Sequence, residues 1–141
     1  MDESPLFLTE DQVLAIHDEQ IELFGGAKGI LSPEGLATAV HAPIQVYLYV
    51  PEATLFDLAT SYAFSLGKNH AFRDGNKRVA SACAIAFLDV NGVNLKCSFT
   101  DEMIALVTDQ ISKEEFSRAL EKVSFRKHGL TAFIRKFFQP F

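Results

Sequence analysis

Tryptophan is missing from this chain, cysteine occurs only twice, and no apolar run comes near the length of a membrane span. The missing tryptophan leaves the aromatic bulk of the core to 13 phenylalanines and three tyrosines. Two cysteines are too few for a disulfide scaffold, and the surroundings of Cys83 and Cys97 read as core, so both are expected to be buried, reduced thiols. Without roughly 20 consecutive apolar residues, no membrane-spanning helix is expected. Basic charge is short too: the formal net charge is −5 at pH 7. A dedicated nucleic-acid binder would show a basic surplus on its binding face, so direct nucleic-acid binding is not expected. A local phosphate site stays open, because a few residues and one helix N-terminus suffice for it. Residues Met1–Pro5 are acidic and lack the basic start of a signal peptide, which makes the cytoplasm the expected compartment. Glycine and proline, at 8 and 5 residues, never gather into a linker, and no repeat or low-complexity tract occurs. One domain over 1–141 is the expected organisation.

What is present is a hydrophobic content of 48 %, arranged mostly at helical spacing. Thr9 and Gln12 form a capping box that opens a first helix. Val13, Ile16, Gln20 and Leu23 lie near one face of it, with Ile21 and Phe24 beside them, and Gly25-Gly26 ends it. Ser32-Pro33 reads as the start of a short second helix that stops before Pro43. Val46-Tyr47-Leu48-Tyr49-Val50, between Pro43 and Pro51, is rich in β-branched and aromatic residues and reads as a strand. A third helix is predicted from about Glu52 to Leu66, broken by Gly67-Lys68-Asn69. A fourth, apolar almost all round and therefore central, runs from Asn76 or Lys77 to Asp89. Asn91-Gly92 turns the chain into a short extended piece at Val93–Leu95. Thr100 caps a fifth helix through about Val107, and a capping box at Ser112–Glu115 opens a sixth. A last amphipathic piece is predicted over Leu130–Phe138. The fold class that results is mainly α, with at most a small β-hairpin.

Chemistry concentrates between the third and fourth helices. His70-Ala71-Phe72-Arg73-Asp74-Gly75-Asn76-Lys77-Arg78 holds an imidazole, a carboxylate, a glycine and several cations directly before a buried helix. Gly75 allows close backbone approach. The first amides of the helix lack intrahelical partners and meet the positive end of its dipole. Lys77 and Arg78 add cations where cations disfavour the helix, which suggests that an anion offsets them. Asp74 is the one carboxylate in this basic stretch; it suits a magnesium ion carried on nucleotide phosphates, or else an N-cap. An imidazole such as that of His70 is the side chain suited to take a proton from a hydroxyl near neutral pH. Phe72, alternating with His70 in an extended loop, is expected to anchor the loop in the core.

This segment resembles the Fic/Doc signature, H-x-F-x-[D/E]-G-N-[G/K]-R. The pattern of His17, of Gly25-Gly26 with Gly29, of Ala39–Pro43, and of Phe87-Leu88 with Asn91-Gly92 is similar to the Doc (death-on-curing) toxin branch. The resemblance covers about residues 9–120, leaving a C-terminal helical extension. It implies a compact helical bundle with a small β-hairpin or flap. By position, it makes His70 the general base, Asp74 the magnesium ligand, Gly75 and Asn76 parts of an anion hole, and Arg78 a nucleotide-phosphate contact. Val46, Tyr47, Leu48 and Tyr49 would form the flap that pairs with an extended target segment.

Members that transfer AMP carry glycine where this chain has Lys77, and a second arginine where it has Ser81. Lys77 matches the Doc branch, which transfers the terminal phosphate of ATP to a translation elongation factor and so blocks translation. A bulky cation in the anion hole and no distal arginine would alter how the triphosphate lies, and so which phosphorus faces the hydroxyl. The internal inhibitory pattern S/T-x-x-x-E-[G/N] is absent, since Ser32-Pro33-Glu34-Gly35 has the ending at the wrong spacing. That agrees with inhibition by a separate antitoxin protein that lays a helix in a groove. Competing readings are an AMP- or other nucleotidyl-transferase acting on a protein hydroxyl, and a catalytically silent module that keeps the fold. The tail Ser124–Phe141 mixes Arg126, Lys127, Arg135 and Lys136 with five phenylalanines, and reads as a packed terminal helix with a basic face. A nucleic-acid contact or an aromatic patch for a partner are its other readings.

Overall fold

The computed structural model describes residues 4–126. Six helices and two short strands follow one another: α1 (Glu10–Phe24), α2 (Pro33–Tyr49), α3 (Leu55–Lys68), α4 (Asn76–Val90), β1 (Val93–Leu95), α5 (Thr100–Val107), α6 (Lys113–Lys122) and β2 (Ser124–Arg126). The class is mainly α with a small antiparallel sheet, as expected. Its strands pair Val93 with Arg126 and Leu95 with Ser124. They are separated by α5 and α6, so the sheet is not a hairpin. The beginning of the tail is therefore a strand, and the predicted helix Leu130–Phe138 lies outside the described residues.

Helix α4 is the centre. Val79, Ala80, Cys83, Ala84, Phe87 and Leu88 are all buried on it, against α1, α3, α5 and β1. Helix α3 lies beside it and packs in turn on α2 and α6. Local signals set the starts. The expected capping boxes of α1 (Thr9 with Gln12) and α6 (Ser112 with Glu115) are both formed, and α3 opens on a third, Thr54 with Asp57. Helix α3 therefore begins later than Glu52, and it runs through Gly67 to Lys68. A Cβ at Gly67 would stand 2.6 Å from Val107, so the glycine there is a close packing contact and not a breaker. Thr100 is the first residue of α5; its cap is Phe99, with no side-chain bond.

The largest departure concerns α2. It passes through Pro43 and takes in Val46, Tyr47, Leu48 and Tyr49, where a flap strand was expected. The reason is a stripe at helical spacing. Leu36, Ala39, Val40 and Pro43 are buried, and Val46 continues their line against the core. Burying that stripe outweighs the strand preference of the aromatic and β-branched residues and the one helix hydrogen bond that Pro43 cannot donate. The amides of these residues are used inside the helix, so they offer no strand edge to an extended target. Tyr47 instead meets the Phe7 ring edge-on at 5.7 Å.

The two thiols also differ from expectation. Cys83 is buried, and burial pushes its thiol up to about 12. Cys97 is exposed, on the connection from β1 to α5, where Phe99 is the residue that turns inward. A thiol reagent is expected to label Cys97 alone in the native protein and Cys83 only after denaturation, because the thiolate is the reactive form. Equal native labelling of both, followed by peptide mass mapping, would contradict the burial of Cys83.

Candidate active site at the start of helix α4

The loop from Asn69 to Gly75 is held from beneath and from both sides. Phe72 is 1 % exposed and is the anchor expected. Its ring stacks on the imidazole of His17 of α1, with centroids 3.8 Å apart and planes within 8°. Asn76 reaches back to the main chain of Phe72: its Oδ1 accepts from the Phe72 amide at 3.1 Å, and its Nδ2 donates to the Phe72 carbonyl at 2.9 Å. The Asn76 side chain thus clasps the loop. Of the two residues expected in an anion hole, Asn76 therefore contributes by holding the backbone.

Gly75 is the cap residue of α4, with φ +76°, in the left-handed region that glycine enters freely. No side chain caps this helix. Asp74, whose alternative role was that cap, instead receives the Gly75 amide on Oδ1 at 2.8 Å and the Ala27 amide on Oδ2 at 3.3 Å. Every other helix among the described residues has an acidic residue in its first turn, whereas α4 has Lys77 and Arg78. Carboxylates normally complement the positive end of a helix dipole. Here the complement is missing and the charge has the opposite sign, which is the electrostatic setting of an anion site.

A cavity of about 460 Å³ opens at this point. His70, Asp74, Gly75, Lys77 and Arg78 line it, together with Lys68 at the end of α3 and Thr108 beyond α5. His70 is exposed and has φ +49°, an uncommon conformation that turns it out of the helix end. Lys77 makes no ion pair among the described residues. Arg78 donates from Nη1 to the Gly25 carbonyl at 2.8 Å, at the C-terminal end of α1, where a cation is favourable. The Arg78 side chain also lines the cavity. Lys68 is paired with Asp109 at 2.8 Å. Ser81 is not among the residues lining the cavity. No group of three or more His, Cys, Asp or Glu able to hold a metal occurs among the described residues. Asp74 alone suits an ion held mainly by phosphates and water, and its carboxylate keeps free lone pairs at the cavity edge.

The glycine-rich segment after α1 is a strap over this loop. The Arg73 amide donates to the Gly29 carbonyl, and the Leu31 and Ser32 amides donate to the Ala71 carbonyl. Ile30 and Phe72 form an antiparallel bridge. Gly26 has φ +124°, and a Cβ there would stand 2.7 Å from Asp74 Oδ2 and 3.0 Å from Arg78 Nη2. Gly26→Ala is therefore expected to displace both side chains and to lower stability by about 1–3 kcal/mol, the cost of a strained backbone. Chemical denaturation measures it, and a neutral effect would mean that the strap gives way freely.

The residues of the signature are thus brought together. Val46, Tyr47, Leu48 and Tyr49 are not; they sit on the far part of α2. A larger cavity, of about 930 Å³, lies between α2, α3 and the start of α6 and contains none of the signature residues. Volume alone does not locate the chemistry; converging functional groups do. From the sequence, His17 and Gly25-Gly26 with Gly29 enter only as part of the family pattern, with no role at the site, and Lys68 with its partner Asp109 is not assigned to the site at all.

An exposed imidazole, one carboxylate and a bare, cationic helix start around one cavity define a transferase-type site of the Fic/Doc class. Residues 7–88 match the Fic/DOC family, and the chain belongs to it. It is 30 % identical to the "Protein kinase doc" of Escherichia phage P1 over 119 residues, covering 82 % of this chain and 94 % of that protein. It is 45 % identical to the "Toxin Doc" of Mycolicibacterium smegmatis over 67 residues, covering 46 % of this chain and 52 % of that one. Among the described residues no helix is long and apolar enough to cross a membrane.

Proposed function

We propose that this protein is a Doc-like toxin that transfers the terminal phosphate of ATP to a hydroxyl of a cellular protein, a translation elongation factor, and so blocks translation. The observation that carries the reading is the convergence of His70, Asp74, Lys77 and Arg78 on one cavity at the uncapped start of α4. The similarity to a protein kinase doc over most of both chains supports the choice of phosphate as the transferred group.

The roles follow from the chemistry. His70 takes the proton of the target hydroxyl as its oxygen bonds to the terminal phosphorus. The bond from that phosphorus to the bridging oxygen breaks, and ADP leaves. The α4 amides, Lys77 and Arg78 stabilise charge on the phosphate oxygens, where the protein's contribution to such a reaction mostly lies. Asp74 would hold the Mg²⁺ that arrives with ATP; when bound, the ion neutralises phosphate charge. Lys77 stands where AMP-transferring relatives have glycine, so it crowds the anion site and favours a triphosphate presented by its far end. A cytoplasmic antitoxin protein would be the inhibitor, because the chain has no inhibitory segment of the S/T-x-x-x-E-[G/N] kind.

The test is intact-mass analysis of an elongation factor incubated with this protein, magnesium and ATP. A phosphate-sized increment is expected. A nucleotide-sized increment would establish nucleotidyl transfer instead. No increment on any protein of a whole-cell lysate would leave a silent module that keeps the fold.

A further inference from the structure

The feature that the reaction above leaves unused is the imidazole of His17. It is 2 % exposed, in the middle of the buried stripe Val13–His17–Ile21 of α1. Polar side chains are rarely placed there without a bond to make. Its Nε2 lies 2.9 Å from the main-chain carbonyl oxygen of Asp74. A carbonyl only accepts, so Nε2 carries the proton and donates. Its Nδ1 lies 3.9 Å from Asp18 Oδ1, whose carboxylate is otherwise in solvent.

The bond has a consequence one peptide further on. In a trans peptide the carbonyl and the amide point in opposite directions. Holding the Asp74 carbonyl toward α1 turns the Gly75 N–H away from α1. That N–H is the one that the Asp74 carboxylate receives on Oδ1 at 2.8 Å. The Asp74 carboxylate is therefore held on Oδ1 by the peptide that follows it and on Oδ2 by the Ala27 amide, and the first of these holds is set by His17. The parallel stack on Phe72 fixes the imidazole in its plane at the same time.

We propose that His17 is a positioning residue: by donating to the Asp74 carbonyl it locks the Asp74–Gly75 peptide and so aims the Asp74 carboxylate into the cavity for a phosphate-bound divalent cation. This rests on the phosphotransfer reading for the identity of the ligand, but the effect on the Gly75 peptide does not.

Two substitutions separate the hydrogen bond from the packing. His17→Phe keeps a ring against Phe72 and removes the donor. His17→Gln removes the ring and keeps an amide donor near the place of Nε2. The full chain with ¹⁵N label reports the Gly75 amide resonance, and calorimetry with Mg²⁺·ATP reports affinity. In His17→Phe the Gly75 amide is expected to shift and Mg²⁺·ATP affinity to fall about 10- to 100-fold, the usual effect of losing a group that orients a metal ligand. In His17→Gln both are expected to return toward wild type, although the melting temperature is lower. A Gly75 amide unmoved in His17→Phe would overturn the proposal. So would equal impairment of both variants in proportion to their melting temperatures, since that is the pattern of a core residue. If wild type binds no Mg²⁺·ATP and transfers nothing, the phosphotransfer reading fails, and the Gly75 amide comparison still decides the role of His17.

Discussion

Replacing His70 by alanine is expected to lower group transfer by about 100- to 10,000-fold, the contribution of a positioned general base, with thermal stability nearly unchanged. The two halves of that expectation come from separate observations. His70 lines the cavity that Asp74, Lys77 and Arg78 share, so its loss removes the one imidazole there, the group proposed to take the hydroxyl proton. It is also exposed, and no hydrogen bond to its ring is made within the described residues, so little packing goes with it. Exposed substitutions of this kind usually stay within about 0.5 kcal/mol. Its φ of +49° adds a small complication, because alanine is less at ease there than histidine. His70→Asn removes the complication, as asparagine enters the left-handed region more readily. Both variants should lose transfer equally while keeping their melting temperatures. A fall in transfer that merely tracks a fall in stability would make the imidazole structural.

What could be read from the sequence divides along physical lines. The signature His70–Arg78 was legible because its function depends on residue types packed into a few neighbouring positions. The helix starts at Thr9 and Ser112 were legible because a capping box is a local bond between residues three apart. The second half of helix α2 is hidden in the sequence because two local signals, Pro43 and the run Val46–Val50, point away from helix. The stripe Leu36–Ala39–Val40–Pro43–Val46 is a tertiary signal, and tertiary burial overrides propensity. Its residues stand at helical spacing, but a proline within the line is locally a stop signal. Cys97 was misplaced because apolar neighbours such as Leu95 and Phe99 do not say which of them turns inward. The mechanical part of the site was the least legible. His17 counts as polar in any hydrophobic pattern, so the apolar pattern of α1 names Val13, Ile16, Gln20 and Leu23 with Ile21 and Phe24 beside them; Val13 and Ile21 are buried, whereas Leu23 and Phe24 are exposed. Its partner, the Asp74 carbonyl, is 57 residues away and belongs to the backbone, which no residue pattern records. The strap Gly25–Ser32 likewise acts through main-chain bonds; its sequence trace is Gly25, Gly26 and Gly29, which do not show what the segment lies against.

Phe72→Ala is expected to have the complementary effect to His70→Ala: a loss of about 3–5 kcal/mol in folding stability, the range for truncating a buried phenylalanine. Phe72 is 1 % exposed and supports structure in several directions. Its ring face carries His17, its backbone is clasped by Asn76, and its neighbour Ala71 receives the strap amides of Leu31 and Ser32. The cavity left behind cannot close easily, because the loop above it is pinned by those main-chain bonds and α4 below it is packed with residues that are themselves fully buried. Cavities that cannot collapse lie toward the costly end of the range. Total stabilities of about 5–15 kcal/mol make such a loss visible as a large shift of the urea midpoint. The slope of the transition should stay constant, since the surface exposed on unfolding barely changes. A loss under about 1 kcal/mol would be outside what burial of a phenylalanine ring permits, and would mean that the loop is held by its hydrogen bonds alone. Phe72→Leu gives a graded check: it restores apolar volume without the flat face, so it should recover much of the stability but not the orientation of His17. Transfer would then stay low in a protein that is well folded, separating the anchoring of the loop from the aiming of its chemistry.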